Sequence, residues 1–382
     1  MVIAPVGARS PRIGCEAHSR PPQDLREGRL AVDGIRGRRR TAAAAGRYLR
    51  PGIYRPISET LWARRGAHLP VHLLRTKAGS SLRSEGESVP YRVFRLLAGV
   101  FVVSGSRRGR TADIVVASFD GGIVVLDQVG GRVYRTYGPG RVTRADERRR
   151  RIFTDHVSAP QFWLRDGGAV VEEELIEGQY LGDMRCEERA ELVTTLVEQF
   201  AALTAAYGSD TPSVTDRDLE TLLHQVDVPA SFAHAWESSS TDWFSVETPW
   251  IPTPREANAK NLVVRPDGRP APIDLGDLQV DPYFIYPVGI LIAAGNDGIR
   301  RFLAGGADYS FATLFEAADQ CWGGTPDERR GLLLARIVYS AHKDSLVKGR
   351  VDQRVFAASL HRRWDEVREV FDGLAPGGVM AS

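Results

Sequence analysis

The order of apolar patterns along the chain is the feature that most limits its fold. From Tyr91 onward, short apolar runs alternate with turns, as in "RVFRLLAGVFVVSG", "IVVLDQVGG" and "RVYRTYG", and this pattern predicts antiparallel strands. From Ser209 onward the pattern is mostly helical, apart from one hairpin around residues 262–273. Strands followed by helices predict an α+β, two-lobed architecture with a small antiparallel-sheet N-lobe and a larger helical C-lobe. A cleft between such lobes is the usual place for a ligand.

The N-terminal quarter of the sequence has a different composition. Residues 1–90 carry 17 Arg and Lys against 7 Asp and Glu, whereas the whole chain has a net charge of +2. Because residues 1–88 are also rich in Gly, Pro and Ser, we expect a basic and poorly ordered arm there. Within it, the stretch 57–75 could form one or two short helices. The arm could be a tail for a nucleic acid or a partner, or a solvated leader; without aromatic interleaving, no clear nucleic-acid site is indicated.

Several classes of protein are disfavoured by motifs that the chain lacks. Its three cysteines, Cys15, Cys186 and Cys321, lie far apart and form no CxxC pair, so a disulfide framework or a structural zinc site is not expected. There is no HExxH motif and no GxSxG elbow. The charge-free apolar runs are too short to span a bilayer, and no signal-peptide core is present. We therefore expect a cytoplasmic protein without a membrane partner; the sequence does not indicate its oligomeric state.

Two neighbouring segments bring together residues that suit a chemical site. "PREANAKNLVV" is followed by "PIDLGD", and the residues between them read as a hairpin with the turn "RPDGRP". Such a hairpin would place Asn261 beside Asp274, with Glu256 nearby. Carboxylate and amide oxygens are ligands for a hard cation, and a further carboxylate suits the deprotonation of a hydroxyl.

These segments resemble the catalytic loop and the metal loop of the protein kinase-like fold. The pattern R-E-x-x-x-x-N followed by I-D-x-G is most similar to the aminoglycoside and choline phosphotransferase branch, usually HGDxxxxN and then IDxG. "RVYRTYG" resembles its third strand, "RADERRRR" the following helix, and "VVEEELIEGQYL" its hinge. The resemblance covers roughly residues 110–372. It implies a nucleotide-binding N-lobe at 89–178 that ends in the hinge, and a helical C-lobe at 179–375 with the catalytic and metal loops.

The resemblance implies ATP and Mg²⁺ as cofactors and gives roles to the hairpin residues. Asp274 is the main metal ligand and Asn261 the second, while Glu256 stands where the family has the base that accepts the hydroxyl proton. The chain departs from the family here, because Pro254 and Arg255 replace the His and Gly, and Glu replaces the Asp. Glu keeps the carboxylate but adds a methylene.

Nucleotide contacts are also implied by the resemblance, with one substitution. No Lys occurs between Lys77 and Lys260, so the third-strand Lys of the family is missing, and Arg135 is the best substitute for binding phosphate. Its expected partner is Glu147, or Asp146 in another helix register. The implied nucleotide-binding residues are Arg135, Glu147, Lys260, and Glu173 and Leu175, whose backbone would hold the adenine.

Two functions are consistent with these residues. The first is an ATP- and Mg²⁺-dependent phosphotransferase acting on a hydroxyl of a small molecule, such as an antibiotic, a sugar or an amino alcohol, or of a natural-product peptide. The alternative is a pseudokinase, a nucleotide-binding or scaffold module without turnover, which the changed base position and the missing Lys favour. The acceptor itself is not indicated, although the acidic residues Asp277, Asp281, Asp319 and Asp344 could attract a cationic one.

Overall fold

The chain forms two compact units, residues 1–118 and residues 119–382. A computed structural model of the protein describes residues 48–57, 61–67, 101–103, 111–117, 123–136, 142–207, 214–239, 243–244, 248–255, 257, 259–275, 278–305, 311–319, 325–347 and 350–372. The domain limits predicted at residues 88 and 178 stay predictions.

The first unit contains four antiparallel strands in the order β3-β1-β2-β4. They are β1 (Gly52–Pro56), β2 (Leu61–Arg64), β3 (Phe101–Val103) and β4 (Ile114–Ala117). The side chains of Tyr54, Leu61 and Trp62 are buried. The Tyr54 hydroxyl donates to the carbonyl of Ala112 at 3.0 Å, and Arg64 Nε lies 2.6 Å from Asp113 Oδ1. Apolar burial and polar contacts together hold these strands.

This sheet differs from the expectation for the N-terminal arm. The composition predicts a poorly ordered segment that includes residues 48–57 and 61–67, and Leu61–Arg64 lies in a stretch that could form short helices. Both β1 and β2 are instead paired strands. Each strand is only four or five residues long, which is too short for its alternation to emerge from Arg-rich surroundings. Pairing with β3 and β4, distant in sequence, stabilises them, and a local pattern does not report distant pairing. The rest of residues 1–88 lies outside the described residues.

The second unit begins with four antiparallel strands in the order β5-β6-β8-β7. They are β5 (Ile123–Asp127), β6 (Arg132–Thr136), β7 (Phe162–Arg165) and β8 (Val170–Glu174). Helix α1 (Arg144–His156) lies between β6 and β7 in the chain. It begins at Thr143, whose side chain accepts from the Asp146 amide while the Asp146 carboxylate accepts from the Thr143 amide. This capping box satisfies two backbone donors at the helix start.

Five further strands form two small sheets in the second unit. They are β9 (Gln179–Tyr180), β10 (Trp250–Pro254), β11 (Leu262–Val264), β12 (Pro270–Pro272) and β13 (Leu278–Pro282). One sheet has the order β12-β11-β9, and β10 pairs with β13 in the other. The pair of β10 and β13 was not predicted, because both strands contain prolines, which remove ladder donors. A two-stranded ribbon tolerates them, since each strand leaves one edge unpaired.

Helices make up most of the remaining chain. They are α2 (Cys186–Ala206), α3 (Asp216–His224), α4 (Ala230–Ser238), α5 (Ile285–Ala294), α6 (Asn296–Leu303), α7 (Ala312–Ala317), α8 (Pro326–Ser345) and α9 (Gln353–Asp372), with a two-stranded ribbon of β14 (Leu346–Val347) and β15 (Arg350–Val351) before the last. The sequence of α2 has apolar residues at spacings of three and four, and Leu192, Leu196, Phe200 and Leu203 of this stripe are buried. Trp243, Trp250 and Trp364 are among the largest buried side chains in the same core.

The observed element order confirms the predicted α+β class: antiparallel sheets come first and a helical part follows. Within the ranges described, none of the helices combines the length and the apolar character needed to cross a membrane.

Candidate active site

The predicted hairpin is present and sets the geometry of the site. Leu262 pairs with Pro272 across β11 and β12, and the Ile273 amide donates to the Asn261 carbonyl at 2.9 Å. Asn261 and Asp274 therefore lie next to each other where the two strands open. The Asp274 side chain is 52% exposed, so a ligand can reach its carboxylate.

Local chemistry explains why this segment turns back on itself. Gly268 has φ of +84°, a left-handed conformation that glycine adopts without a steric penalty. Its amide donates to the Arg265 carbonyl at 2.9 Å. The Arg265 guanidinium then pairs with Glu174, with Nη1 3.0 Å from Oε1. This ion pair joins the hairpin turn to the end of β8.

Arg135 approaches the hairpin from strand β6. Its Nη1 lies 3.2 Å from Asp274 Oδ1, and its Nε lies 3.6 Å from Glu173 Oε2. The side chain is only 17% exposed, so its position is well defined by the surrounding protein. The strand cation is therefore directly beside the carboxylate predicted to bind a metal.

The predicted partner of Arg135 is wrong. Glu147 pairs instead with Arg151 one turn later on α1, at 2.7 Å, and Asp146 is used in the capping box. The residue that α1 turns inward is Arg150, which is 2% exposed. Both positions are on the same side of α1, but Glu147 is in the first turn and 30% exposed, whereas Arg150 and Phe153 one turn later are buried.

Glu173 is the carboxylate that the site uses. It is 2% exposed, and its Oε1 accepts from Arg150 Nη1 at 2.8 Å while Oε2 faces Arg135. Arg150 Nη2 also donates to the Leu275 carbonyl beside Asp274. The helix therefore supplies a cation and the sheet a carboxylate, which reverses the charges implied by the resemblance. A buried carboxylate shared by two guanidiniums holds β6, α1 and the hairpin together.

Three predicted residues cannot be placed in full. Glu256 lies outside the described residues, as does Asp277, and the side chain of Lys260 is not described. Their neighbours are placed: β10 ends at Pro254, Arg255 is exposed, and Ala259–Asn261 forms a 3₁₀ helix that leads into β11. The catalytic role of Glu256 and the phosphate contact of Lys260 stay predictions.

The predicted hinge follows β8 and makes close contact with the hairpin. The Leu175 amide donates to the Gly131 carbonyl at 2.9 Å. Gly178 lies so close to β11 that a Cβ built on it would be 2.0 Å from the Val264 carbonyl oxygen. Glycine is therefore required at this position of "IEGQYL" for a steric reason, and Leu181 of the same stretch is fully buried. The adenine-binding role of the hinge backbone stays a prediction.

The donor set fits Mg²⁺ better than a softer metal. In the part of the chain that the structure describes, no group of three or more His, Cys, Asp or Glu side chains is arranged to hold a metal ion. The candidate metal ligands of the site are therefore one exposed carboxylate, Asp274, and one carboxamide on the adjoining segment, Asn261. Mg²⁺ is commonly held by one or two protein oxygens, with water and phosphate oxygens completing an octahedron. If Mg²⁺ binds here, these two residues would supply part of its ligand shell, and a phosphate-bearing ligand would complete it.

Two of the acidic residues that could attract a cationic acceptor, Asp281 and Asp344, are engaged with other side chains. Asp281 is 2% exposed and is held by Thr253, Tyr339 and Lys343. Asp344 accepts from Ser359 and from two arginines of α9. Asp319 lies in a turn with φ of +52°. Asp281 and Asp344 therefore do not form an open anionic surface, whereas Asp319 is exposed.

Sequence reasoning missed three residues that shape this region. Arg150 and the Glu173 side chain form the buried pair, and Arg336 on α8 is 9% exposed. The signal for Arg336 was available, because it interrupts the apolar run "LLLARIVYSA", and a charged residue in such a run is buried for a reason. Nothing comparable marks Arg150, which is one of four consecutive arginines.

Comparison with known proteins gives likenesses in structure only. No protein-family model matches the chain, and no curated protein matches its sequence. The structure is similar to macrolide 2'-phosphotransferase MphH from Brachybacterium faecium, with 15% identity over 67% of this chain and 90% of that chain and a TM-score of 0.38. It is also similar to a GDP complex of aminoglycoside 2'-phosphotransferase-IIIa, with 14% identity over 65% and 89% and a TM-score of 0.40.

A choline kinase gives a third likeness. LicA from Streptococcus pneumoniae shares 11% identity over 66% of this chain and 92% of its own, with a TM-score of 0.36. All three TM-scores are below 0.5, so these likenesses do not assign a function to the chain.

Proposed function

We propose that this protein is an ATP- and Mg²⁺-dependent phosphotransferase of the kinase-like class, acting on a hydroxyl group of a small molecule or a natural-product peptide. The observation that carries the proposal is the arrangement at the open end of the hairpin. The Asn261 carbonyl accepts there from the amide of Ile273, the residue before Asp274, and Arg135 Nη1 is 3.2 Å from Asp274 Oδ1. A carboxylate beside a guanidinium, with a carboxamide on the adjoining segment, suits what phosphoryl transfer needs: charge neutralisation and positioning.

In this proposal each residue has a defined task. Asp274 and Asn261 would hold Mg²⁺, which when bound neutralises charge on the β- and γ-phosphates. Arg135 would turn from Asp274 towards a phosphate oxygen, a change that Glu173 permits because Arg150 keeps that carboxylate paired. Glu256 would accept the proton as the acceptor oxygen attacks the γ-phosphorus. The bond from phosphorus to the β-bridging oxygen breaks, and ADP leaves.

A nucleotide-binding protein without turnover is the alternative, and one observation favours it. The metal-binding candidate Asp274 is already paired with a cation of its own chain, which could substitute for the charge of a metal. The two functions share nucleotide binding and differ in turnover.

One experiment in two parts tests the proposal. Thermal unfolding with ATP should show stabilisation that depends on Mg²⁺, and Asp274→Asn should lose it, since ligand binding to the native state raises its stability by mass action. ADP release is then measured with a panel of hydroxyl compounds for wild type and Glu256→Gln. Turnover that Gln reduces by roughly 10²–10⁴-fold supports the base. Metal-dependent ATP binding without ADP release from any acceptor would establish the alternative, and the absence of ATP binding would refute both.

A further inference from the structure

A polar cavity of about 460 Å³ lies within the second unit, next to the segment that contains Glu256. Its volume is in the range of sites for small molecules. One face of α8 forms a wall, because residues four and three positions apart on a helix point the same way. The lining residues are Arg255, Ala257, Gln279, Ile285, Arg336, Ser340, Lys343, Asp344, Leu346, Arg362 and Arg363.

The charge of the cavity is strongly positive among the residues described. Five of the lining side chains are cations and one, Asp344, is an anion. Asp344 is shared by Arg362, at 3.2 Å, and Arg363, at 2.8 Å. Asp281, which is not a lining residue, accepts from Lys343, with Oδ2 2.7 Å from Nζ. Even when Asp281 is counted, positive charges remain in excess.

Arg336 is the lining cation without a direct ion pair among the described residues, although the negative charges of Asp281 and Asp344 act on it from farther away. Its side chain is 9% exposed, and in the described part of the chain neither a hydrogen-bond acceptor for its Nε nor a carboxylate within 4.0 Å is found. Burial lowers the pKa of Arg336 to about 10, so the guanidinium is still charged near neutral pH. A buried and unpaired charge is destabilising, and an anion entering the cavity would relieve that cost.

The neighbouring backbone leaves space for this guanidinium. A Cβ built on Gly289 of α5 would lie 2.8 Å from Arg336 Nη2 and 2.5 Å from the Ala257 Cβ. Gly289 therefore lets Arg336 and the segment carrying Ala257 come together. A larger residue at position 289 would push one of them out of place.

The cavity also adjoins the candidate active site. Arg255 and Ala257 line it and flank Glu256 in the chain. Ile285 lines it as well, and burial together with the nearby negative charge of Asp274 raises the pKa of the next residue, Tyr286. An acceptor bound in the cavity would therefore lie beside Arg255 and Ala257, the neighbours of Glu256 in the chain.

We propose that the cavity binds the phosphoryl acceptor and selects an alcohol that carries an anionic group, a carboxylate or a phosphate. Arg336 and Lys343 hold the anionic group, and the hydroxyl faces the segment of Glu256. This inference rests on the proposed phosphotransferase function. It replaces the cationic acceptor expected from the acidic residues of the sequence.

Binding without nucleotide tests the cavity separately from the reaction. The probes are glucose 6-phosphate, glucuronate, glucose and glucosamine, which share a pyranose ring and differ mainly in charge, together with inorganic phosphate. Calorimetric titration of the full chain should show binding of glucose 6-phosphate, glucuronate and inorganic phosphate that weakens as salt is added, and much weaker binding of glucose and glucosamine. Preference for glucosamine, or equal binding of all probes, would overturn the proposal.

Variants locate the binding and separate it from the nucleotide site. Arg336→Met should reduce anion affinity by about tenfold or more, raise the unfolding midpoint of the ligand-free protein, and keep Mg²⁺-dependent stabilisation by ATP. Arg363→Gln, at the more exposed rim, should weaken anion binding less. The control Arg368→Gln changes an exposed α9 residue outside the cavity lining and should bind anions like wild type. Wild-type anion affinity in both Arg336→Met and Arg363→Gln would refute the assignment.

The readouts distinguish failure of this inference from failure of the proposed function. If anions do not bind but ATP stabilises the protein with Mg²⁺ and ADP is released, the acceptor class alone is wrong. If anions bind at Arg336 but no ATP effect is seen, the cavity is an anion site and the phosphotransferase function is wrong.

Discussion

At the residue scale, a single carboxylate organises the centre of the second unit. Glu173 accepts from Arg150 and faces Arg135, and Arg135 in turn reaches Asp274. The chain of alternating charges therefore runs from α1 through β8 and β6 to the hairpin. Because each guanidinium is fixed by its partner, the carboxylate of Asp274 is presented in a defined direction.

The variant Arg135→Ala is expected to weaken ATP binding. A hydrogen bond to a charged group contributes roughly 1.5–3 kcal/mol, so the loss should be about tenfold or more. Arg135→Lys keeps the charge but not the fork and should fall between wild type and Ala. Calorimetric titration with ATP and Mg²⁺ measures the affinities.

Arg132→Ala is the matched control for that experiment. Arg132 lies on the same strand but pairs with Glu172 at 3.3 Å and stacks on Trp163. Its removal should leave ATP affinity unchanged. If Arg135→Ala also binds ATP like wild type, Arg135 serves only to pair Glu173 with Asp274, and the phosphate contact belongs to another residue.

At the scale of elements, the packing of the hinge on the hairpin decides whether the site can form. Tyr180 pairs with Val263 and Gln179 with Val264, so β9 is the third strand of the hairpin sheet. Gly178 precedes this pairing with φ of +158° and the shortest approach to backbone of the glycines described. The segment that contains Gly178 therefore packs directly on the hairpin that leads to Asp274.

Gly178→Ala is expected to destabilise the protein. The added methyl would meet the Val264 carbonyl oxygen at 2.0 Å, and since backbone cannot move aside cheaply, the free energy of unfolding should fall by roughly 1–3 kcal/mol. Urea unfolding measures the change. Gly182→Ala is the control, because its Cβ would have no atom nearer than 3.8 Å. Equal stability of the two variants would show that the hinge relaxes away from β11.

At the scale of the whole molecule, helix α8 links the core to the cavity. Its middle carries fully buried apolar residues, while Arg336, Ser340, Lys343 and Asp344 line the cavity. Near its end, burial lowers the pKa of His342, although the charge of Asp218 opposes this shift. The Nδ1 atom of His342 is buried, and no hydrogen-bond partner for it is found among the described residues.

Stability is therefore expected to fall on acidification. The folded pKa of His342 is below its unfolded value of about 6.5, so the unfolded chain takes up the proton first as the pH falls. Chemical unfolding of wild type and His342→Gln measures this contribution. The difference in unfolding free energy between the two proteins should be constant above about pH 7.5. Below about pH 6.5 wild type should lose stability relative to His342→Gln. A difference that is independent of pH would show that His342 keeps its normal pKa in the folded protein.

The sequence alone was enough for features that depend on local periodicity and turn chemistry. It determined the α+β order of elements, the apolar stripe of α2, and the hairpin that brings Asn261 and Asp274 together. These follow because a 3.6-residue or two-residue period and a glycine turn are encoded by near neighbours. The hairpin is the part of the candidate site for which this holds.

Only the tertiary structure decided which charged residues meet. Arg150 of α1 is buried and Glu147 is not, so Glu173 is the partner of both arginines. The strands at residues 52–64 form because distant strands pair with them, and the cavity is cationic because α8 and α9 bring their arginines together while Asp281 and Asp344 are already paired. Such choices depend on which turn of a helix is buried and on contacts between segments far apart in sequence, and a reading of local patterns contains neither.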